Sequence, residues 1–226
     1  MKKGFTLAET LITIGIIGVV SALTIPALIT NYQKQQTATL LKKTYADLKN
    51  IIRLSIVEND EPSGWKYPED SSKAACEDFI KTYYFPFIKG GVGRIPASYR
   101  IKNLNGLGSF MPSCGFEMAD GRLISFFPNI NNSYIWLFAD INGNKTPNRA
   151  GRDVFVFEAY TSYDVYGWGK GNSANFLSTF GVELVDRNNA SGYGCSKENK
   201  YGSYAGWYCA SLIMLNNWKI PKDYPW

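Results

Sequence analysis

Apolar residues dominate the first thirty positions. Phe5 to Ile29 form 25 residues whose only ionisable side chain is Glu9, and Leu11 to Ile29 alone provide 19. At about 1.5 Å per residue a helix of that length crosses a hydrocarbon core. After Asn31 the chain turns polar but keeps a helical period, with Leu41, Tyr45, Leu48, Ile52 and Ile56 recurring at steps of three or four, so one face of this part must lie on a core. The pattern predicts one helix from about Thr6 to Val57, stopped by Asn59-Asp60-Glu61-Pro62 and Ser63-Gly64. Pro26 falls inside it, and without an N–H to bond the Ala22 carbonyl it should kink or loosen the helix there.

A second, short helix is expected over Ser72 to Tyr84, with Cys76, Phe79, Ile80 and Tyr83 facing inward. The glycines of residues 89–94 then open a looped region. Three aromatic and β-branched runs follow, Arg122 to Phe127, Tyr134 to Ala139 and Asp153 to Tyr160, with a turn expected at residues 128–132. They read as an antiparallel meander. Both faces of the middle run are apolar, Trp136 and Phe138 on one and Ile135 and Leu137 on the other. One face should pack on the long helix and the other be covered by the Tyr- and Trp-rich C-terminal region. The fold class is α+β, with no boundary between two exported domains.

Composition narrows the function classes. The 226 residues are 45% hydrophobic, enough for a membrane segment and one globular domain with a core. The net charge of +5 is spread along the chain. Lys34, Lys42, Lys43, Lys49 and Arg53 read as a solvated helix face, and nucleic acid is an unlikely partner on this charge pattern. The chain holds no histidine, which excludes His-based triads and the HExxH zinc signature.

Lys2 and Lys3 before the apolar run place the N-terminus in the cytoplasm and send the rest outward. An ordinary secretory signal is one reading, with Val20-Ser21-Ala22 offering small residues for cleavage. Glu9 argues otherwise, because an acid in a membrane span is costly and marks a partner or a job. A cut between Gly4 and Phe5 would create such a partner, the new α-amine of Phe5. Gly15, Gly18 and Ala22 fall roughly on one helix face and would let another helix approach closely.

The stretch KKGFTLAETLITIGIIGVVSALTIPAL resembles the N-terminus of type IV pilins and type II secretion pseudopilins, over about residues 2 to 30. The resemblance implies a pilin-like fold, a long N-terminal helix packed on a small antiparallel β-sheet head. It implies a leader of residues 1–4, a transmembrane and filament-core helix over residues 5–30, and an exported head over residues 31–226. A prepilin peptidase would cut after Gly4 and N-methylate Phe5, Glu9 would guide assembly by pairing with that amine, and Pro26 would match the proline pilins commonly carry in this helix. The implied protein is a structural subunit rather than an enzyme, held single-pass in the inner membrane with its head outside the cytoplasm. Its partners would be the peptidase, an inner-membrane assembly platform and other pilins, in a periplasmic or extracellular filament.

Two further features carry candidate chemistry. Residues 140–153, DINGNKTPNRAGRD, place Asp140, Asn142 and Asn144 at alternate positions with Asp153 beyond, hard oxygen donors that can wrap calcium. Lys145 and Gly151 at the sixth and twelfth positions exclude an EF-hand, and an ordinary Asn, Gly and Pro turn is the plain alternative. The loop's position is similar to that of the calcium loop of major pseudopilins. The cysteines are four: Cys76, Cys114, Cys195 and Cys209. Three pairings are open to them; joining Cys195 to Cys209 closes a short loop, contributing roughly 3 kcal/mol in the chain-entropy model, and leaves Cys76 with Cys114. The C-terminal disulfide loop of many pilins favours the same pairing.

The aromatics Tyr193, Tyr201, Tyr204, Trp207 and Tyr208 of the C-terminal region offer either packing or a sugar-stacking surface. The rival to a filament subunit is therefore an exported binding domain, for example for a glycan, that never polymerises.

Overall fold

The computed structural model describes residues 4, 6–88, 90, 93–129, 134–160, 177–179, 192–198 and 204–226. Lys2, Lys3, Phe5, Tyr201 and turn residues 130–132 lie outside them. The chain divides into two compact units, Met1–Thr37 and Ala38–Trp226.

Helix α1 (Leu7–Asn59) runs through Pro26 without ending there. In the first unit its large apolar side chains, from Leu7 to Ile29, are exposed, and the helix is long and apolar enough to cross a membrane or serve as a signal sequence. Its hydroxyls are satisfied within the helix: Thr13 donates to the Glu9 carbonyl at 2.7 Å, Thr24 to Val20 at 2.8 Å and Thr30 to Pro26 at 2.9 Å. This leaves no hydroxyl proton of these threonines unpaired on an apolar surface.

In the second unit α1 buries one face, with Ala38, Leu41, Thr44, Leu48, Ile51, Ile52 and Ser55 on it. The helix stops at Asn59, where Asp60 turns to a left-handed φ of 60° and its carbonyl accepts the Trp65 indole N–H at 3.0 Å. Helix α2 (Lys73–Tyr83) starts from a Ser72 side-chain cap on the Ala75 N–H and buries Cys76, Phe79, Ile80 and Tyr83.

Strands β1 (Gly93–Arg94), β4 (Cys114–Glu117), β5 (Leu123–Asn129), β6 (Tyr134–Asp140), β7 (Val154–Tyr160) and β8 (Leu177–Thr179) form a sheet in that order. Every neighbouring pair is antiparallel. Strands β2 (Ile101–Lys102) and β3 (Ser109–Phe110) pair separately, and α3 (Cys209–Leu215) lies near the C-terminus. Of the turn expected at residues 128–132, Pro128 and Asn129 instead continue β5. Cys114, the first residue of β4, faces Phe126, so Pro128 lies past the end of β4. Its missing N–H removes no ladder bond there.

The sheet is apolar on both faces. Phe126, Ile135, Leu137, Phe155 and Phe157 join the cluster that contains the second-unit residues of α1, α2 and α3. Phe138, Val154 and Val156 join Tyr99, Ile101, Trp207 and Tyr208 on the other side.

Arg122, 3% exposed, fastens α1 to the turn before β5. Its guanidinium donates to Thr44 Oγ1 at 2.7 Å, to Asp47 at 2.5 Å and to Asp120 at 2.9 Å, while Lys43 reaches Asp120 at 2.6 Å. The hydrogen bond from Arg122 is the main reason the Asp120 carboxyl is held well below the usual carboxylate range. A carboxyl whose folded pKa is depressed contributes stability above its unfolded pKa and loses it as pH falls. Replacing Arg122 by Met should lower unfolding stability by about 2 kcal/mol, less than a fully buried pair because both acids are partly hydrated. Urea unfolding of Asp120→Asn should show a smaller loss below about pH 4 than the unmodified chain.

Candidate functional site

The sequence reading places chemistry at two positions, the start of α1 and the loop between β6 and β7. At the first, Gly4 is exposed, and a side chain built on it would meet nothing within 4 Å; the described residues give no packing reason for glycine there. Glu9 has a local role that the sequence reading missed. Its Oε2 accepts both the Thr6 N–H and the Thr6 hydroxyl at 2.8 Å, and the Glu9 N–H lies 3.3 Å from Thr6 Oγ1. This is a capping box, and Thr6-Leu7-Ala8-Glu9 carries its spacing. Phe5, the expected methylation site and the source of the proposed partner amine, is outside the described residues.

At the second position the fold brings Asp140, Asn142, Asn148 and Asp153 together. Asp140 ends β6 and is 0% exposed; Asp153, just before β7, is 4% exposed. Asp153 serves chiefly the loop's own backbone. Its Oδ2 accepts the Asn148 N–H at 2.9 Å and its Oδ1 the Arg149 N–H at 2.6 Å, with the Asn142 amide at 3.3 Å from Oδ2. Burial still pushes its carboxyl up. Asp140 accepts the Tyr99 hydroxyl at 2.8 Å and the Asn142 N–H at 3.2 Å. Desolvation, with the Asp153 charge adding to it, pushes Asp140 up to about 8.

Two acceptors here have no donor among the described residues, Asn142 Oδ1 and Asn148 Oδ1, and Asn148 is only 9% exposed. Orphan oxygens beside a carboxyl that resists ionisation are what a missing cation would leave behind. Asp140, Asn142, Asn148 and Asp153 are the side chains that would hold a cation if one binds here, and oxygen donors of this kind suit calcium. Asn144, also expected as a ligand, is exposed, and its Oδ1 instead lies 3.4 Å from the Asn148 amide. Among the described residues no three acidic, His or Cys side chains converge, so amide oxygens would have to complete the shell. Tyr99 and Asn148 were not named from sequence. Tyr99 lies 41 positions from Asp140, with no local signal, whereas Asn148 sat unremarked inside the loop.

The loop leans on the C-terminal segment. The structure pairs Cys76 with Cys114 and Cys195 with Cys209. Gly151 takes φ +77°, and a Cβ on it would lie 2.5 Å from Cys209 Sγ, so glycine is required on both counts. The Tyr224 hydroxyl donates to the Gly151 carbonyl. Trp207 and Tyr208 are buried in the second core, and Tyr193 stacks on Tyr204 with ring centroids 5.1 Å apart. Most of these aromatics therefore pack inward; Tyr204 is exposed.

Residues 27–226 match the model of a family of unknown function (DUF6613), and the chain belongs to that family. No curated protein and no solved structure matches the chain.

Because the folded pKa of Asp140 lies above its unfolded value near 4, the folded state binds more protons between the two. Without added cation, stability should fall as pH rises from about 4 to about 8. Millimolar calcium should raise the thermal midpoint of the full-length protein at pH 8, and Asp140→Ala or Asn148→Ala should remove that rise. An unchanged midpoint with calcium would leave the loop as a turn held by Asp153.

Proposed function

We propose that the protein is a structural subunit, a pilin or pseudopilin, of a type IV pilus or type II secretion-like filament. In this reading prepilin peptidase cuts between Gly4 and Phe5 and methylates Phe5, and an inner-membrane platform assembles the subunits through their N-terminal helices. The observation that carries it is α1 itself: an apolar helix exposed on all sides, with Glu9 as its only acid before residue 47, continuing without a break into the core of the second unit.

Three details support the reading. A signal cleavage after Ala22 would cut inside α1 and leave Leu23, Ile25, Leu28 and Ile29, all exposed, at the start of a soluble chain. Such a row of apolar side chains needs a membrane or other helices around it. Gly4, Gly15 and Gly18 have open space where a side chain would stand, so none is explained by contacts among the described residues. The two disulfides fit a head folded outside the reducing cytoplasm.

The capping box sharpens the test of Glu9. Glutamine can also close a capping box, but it cannot pair with a cationic amine. Glu9→Gln should therefore keep the helix start and be processed like the unmodified chain, yet fail to assemble into fibres; Gly4→Glu should block processing. Mass spectrometry of the mature N-terminus in the native host should give N-methylated Phe5. Normal fibres from Glu9→Gln would reduce Glu9 to a cap, and a mature start at Leu23 or Met1 would overturn the assignment.

A further inference from the structure

We propose that the cleft between residues 94–97 and 111–115 binds an extended, acidic segment of another polypeptide. The inference stands apart from the filament reading, since it concerns only the second unit.

The cleft exists because β1 is too short for its neighbour. β1 pairs Gly93 with Glu117 and Arg94 with Phe116, after which Ile95 and Pro96 leave the sheet. β4 continues to Cys114, so Cys114 and Gly115 have no partner in β1. Pro96 and Pro112 stand on the two sides of the gap, and neither has an N–H to close it. The result is a cavity of about 360 Å³ beside a sheet edge, the arrangement in which an added strand gains backbone hydrogen bonds.

The lining selects the occupant. Tyr99 and Phe127 both line the cleft; Tyr99 is 2% exposed and its hydroxyl is committed to Asp140 at 2.8 Å, so half-buried Phe127 is the ring more open to a ligand. Ile95 and Met111 add apolar walls, and Met111 is 52% exposed. At the rim stand Arg94 and Lys73 against one carboxylate, Glu77, which lies 3.8 Å from Lys73. Beyond Lys73, Glu77 and Arg94 the polar side chains of the lining are the hydroxyls of Ser71, Ser113 and Tyr99, so charge is its strongest selective feature. An extended chain with alternating small apolar and acidic side chains meets all three features. Its apolar residues enter between Ile95, Met111 and the rings, its carboxylates meet Arg94 and Lys73, and its backbone lies along the end of β4.

The test uses full-length protein in nanodiscs of uncharged lipid and a fluorescent peptide of about eight residues alternating aspartate and valine, the length of a typical strand. Saturable binding is expected below about 1 mM, at least about tenfold tighter than for a lysine and valine peptide of the same length. Arg94→Glu combined with Lys73→Glu should weaken binding by about tenfold or more with the unfolding midpoint unchanged. Absence of saturable binding, equal affinity for both peptides, or binding indifferent to the charge reversals would overturn the proposal. Complete displacement by millimolar hexanoate would also overturn it, in favour of a pocket for small carboxylates.

Discussion

A sheet that is apolar on both faces sets the terms for everything around it. In β6 the adjacent residues Leu137 and Phe138 point to opposite sides, and both are fully buried. Such a strand has no solvent face, so the fold must supply two covers rather than one. One cover is helical, from the second-unit part of α1 together with α2 and α3. The other is built from Tyr99, Ile101, Trp207 and Tyr208, brought together from separate parts of the chain. Covers drawn from distant segments close long loops, and each carries an entropic cost. The disulfides fall where that cost is met: Cys76–Cys114 joins α2 to β4, and Cys195–Cys209 joins a segment beside the second cover to the start of α3.

The candidate cation loop follows from the same constraint. It connects β6 to β7, so the second cover necessarily closes over its base, and Tyr99 reaches Asp140 from there. Two carboxylates are buried as a result, and they are not equivalent. Asp153 is paired with the N–H groups of Asn148 and Arg149, so its presence is explained by the turn alone. Asp140 accepts the Tyr99 hydroxyl and the backbone N–H groups of Asn142 and Gly143, yet burial pushes it up to about 8. A turn needs only the first acid. The second, with the orphan Asn142 and Asn148 oxygens, is what gives the loop a chemical possibility beyond turning.

Long-period features were legible in the sequence because each depends on nearby residues. The helix expected from Thr6 to Val57 is observed as Leu7–Asn59, and the four inward residues of α2 are the buried ones. The three central strands lie within a residue or two of their expected ranges, since each is a run of aromatic and β-branched residues bounded by turn formers. What escaped is what depends on partners. Strands β1, β2 and β3 are two residues each and exist only through their neighbours. Helix α3 is a seven-residue segment beginning at a disulfide, with too few turns to show a period. Arg122 read as the start of a strand, whereas its side chain serves Thr44, Asp47 and Asp120, the first two more than 70 positions away. The Thr6–Glu9 cap was legible in spacing but hidden behind the charge argument.

Family membership and the pilin resemblance rest on nearly separate parts of the chain, residues 27–226 for the one and residues 2 to 30 for the other. Neither lends weight to the other, and the functional reading stands on the N-terminal helix. There the two roles of Glu9 are compatible rather than competing. Both Thr6 bonds fall on Oε2, so one carboxylate oxygen suffices to cap the helix and Oε1 remains for a second donor. A cap needs an acceptor, which glutamate or glutamine can supply, and the helix dipole adds only a modest preference for the charged one. A carboxylate in a stretch that otherwise excludes every ionisable side chain is not accounted for by the cap, because glutamine would close it at lower cost in an apolar medium. The negative charge is therefore the feature that calls for a cation beyond Thr6, and the proposed amine of Phe5 is the one that cleavage after Gly4 would create.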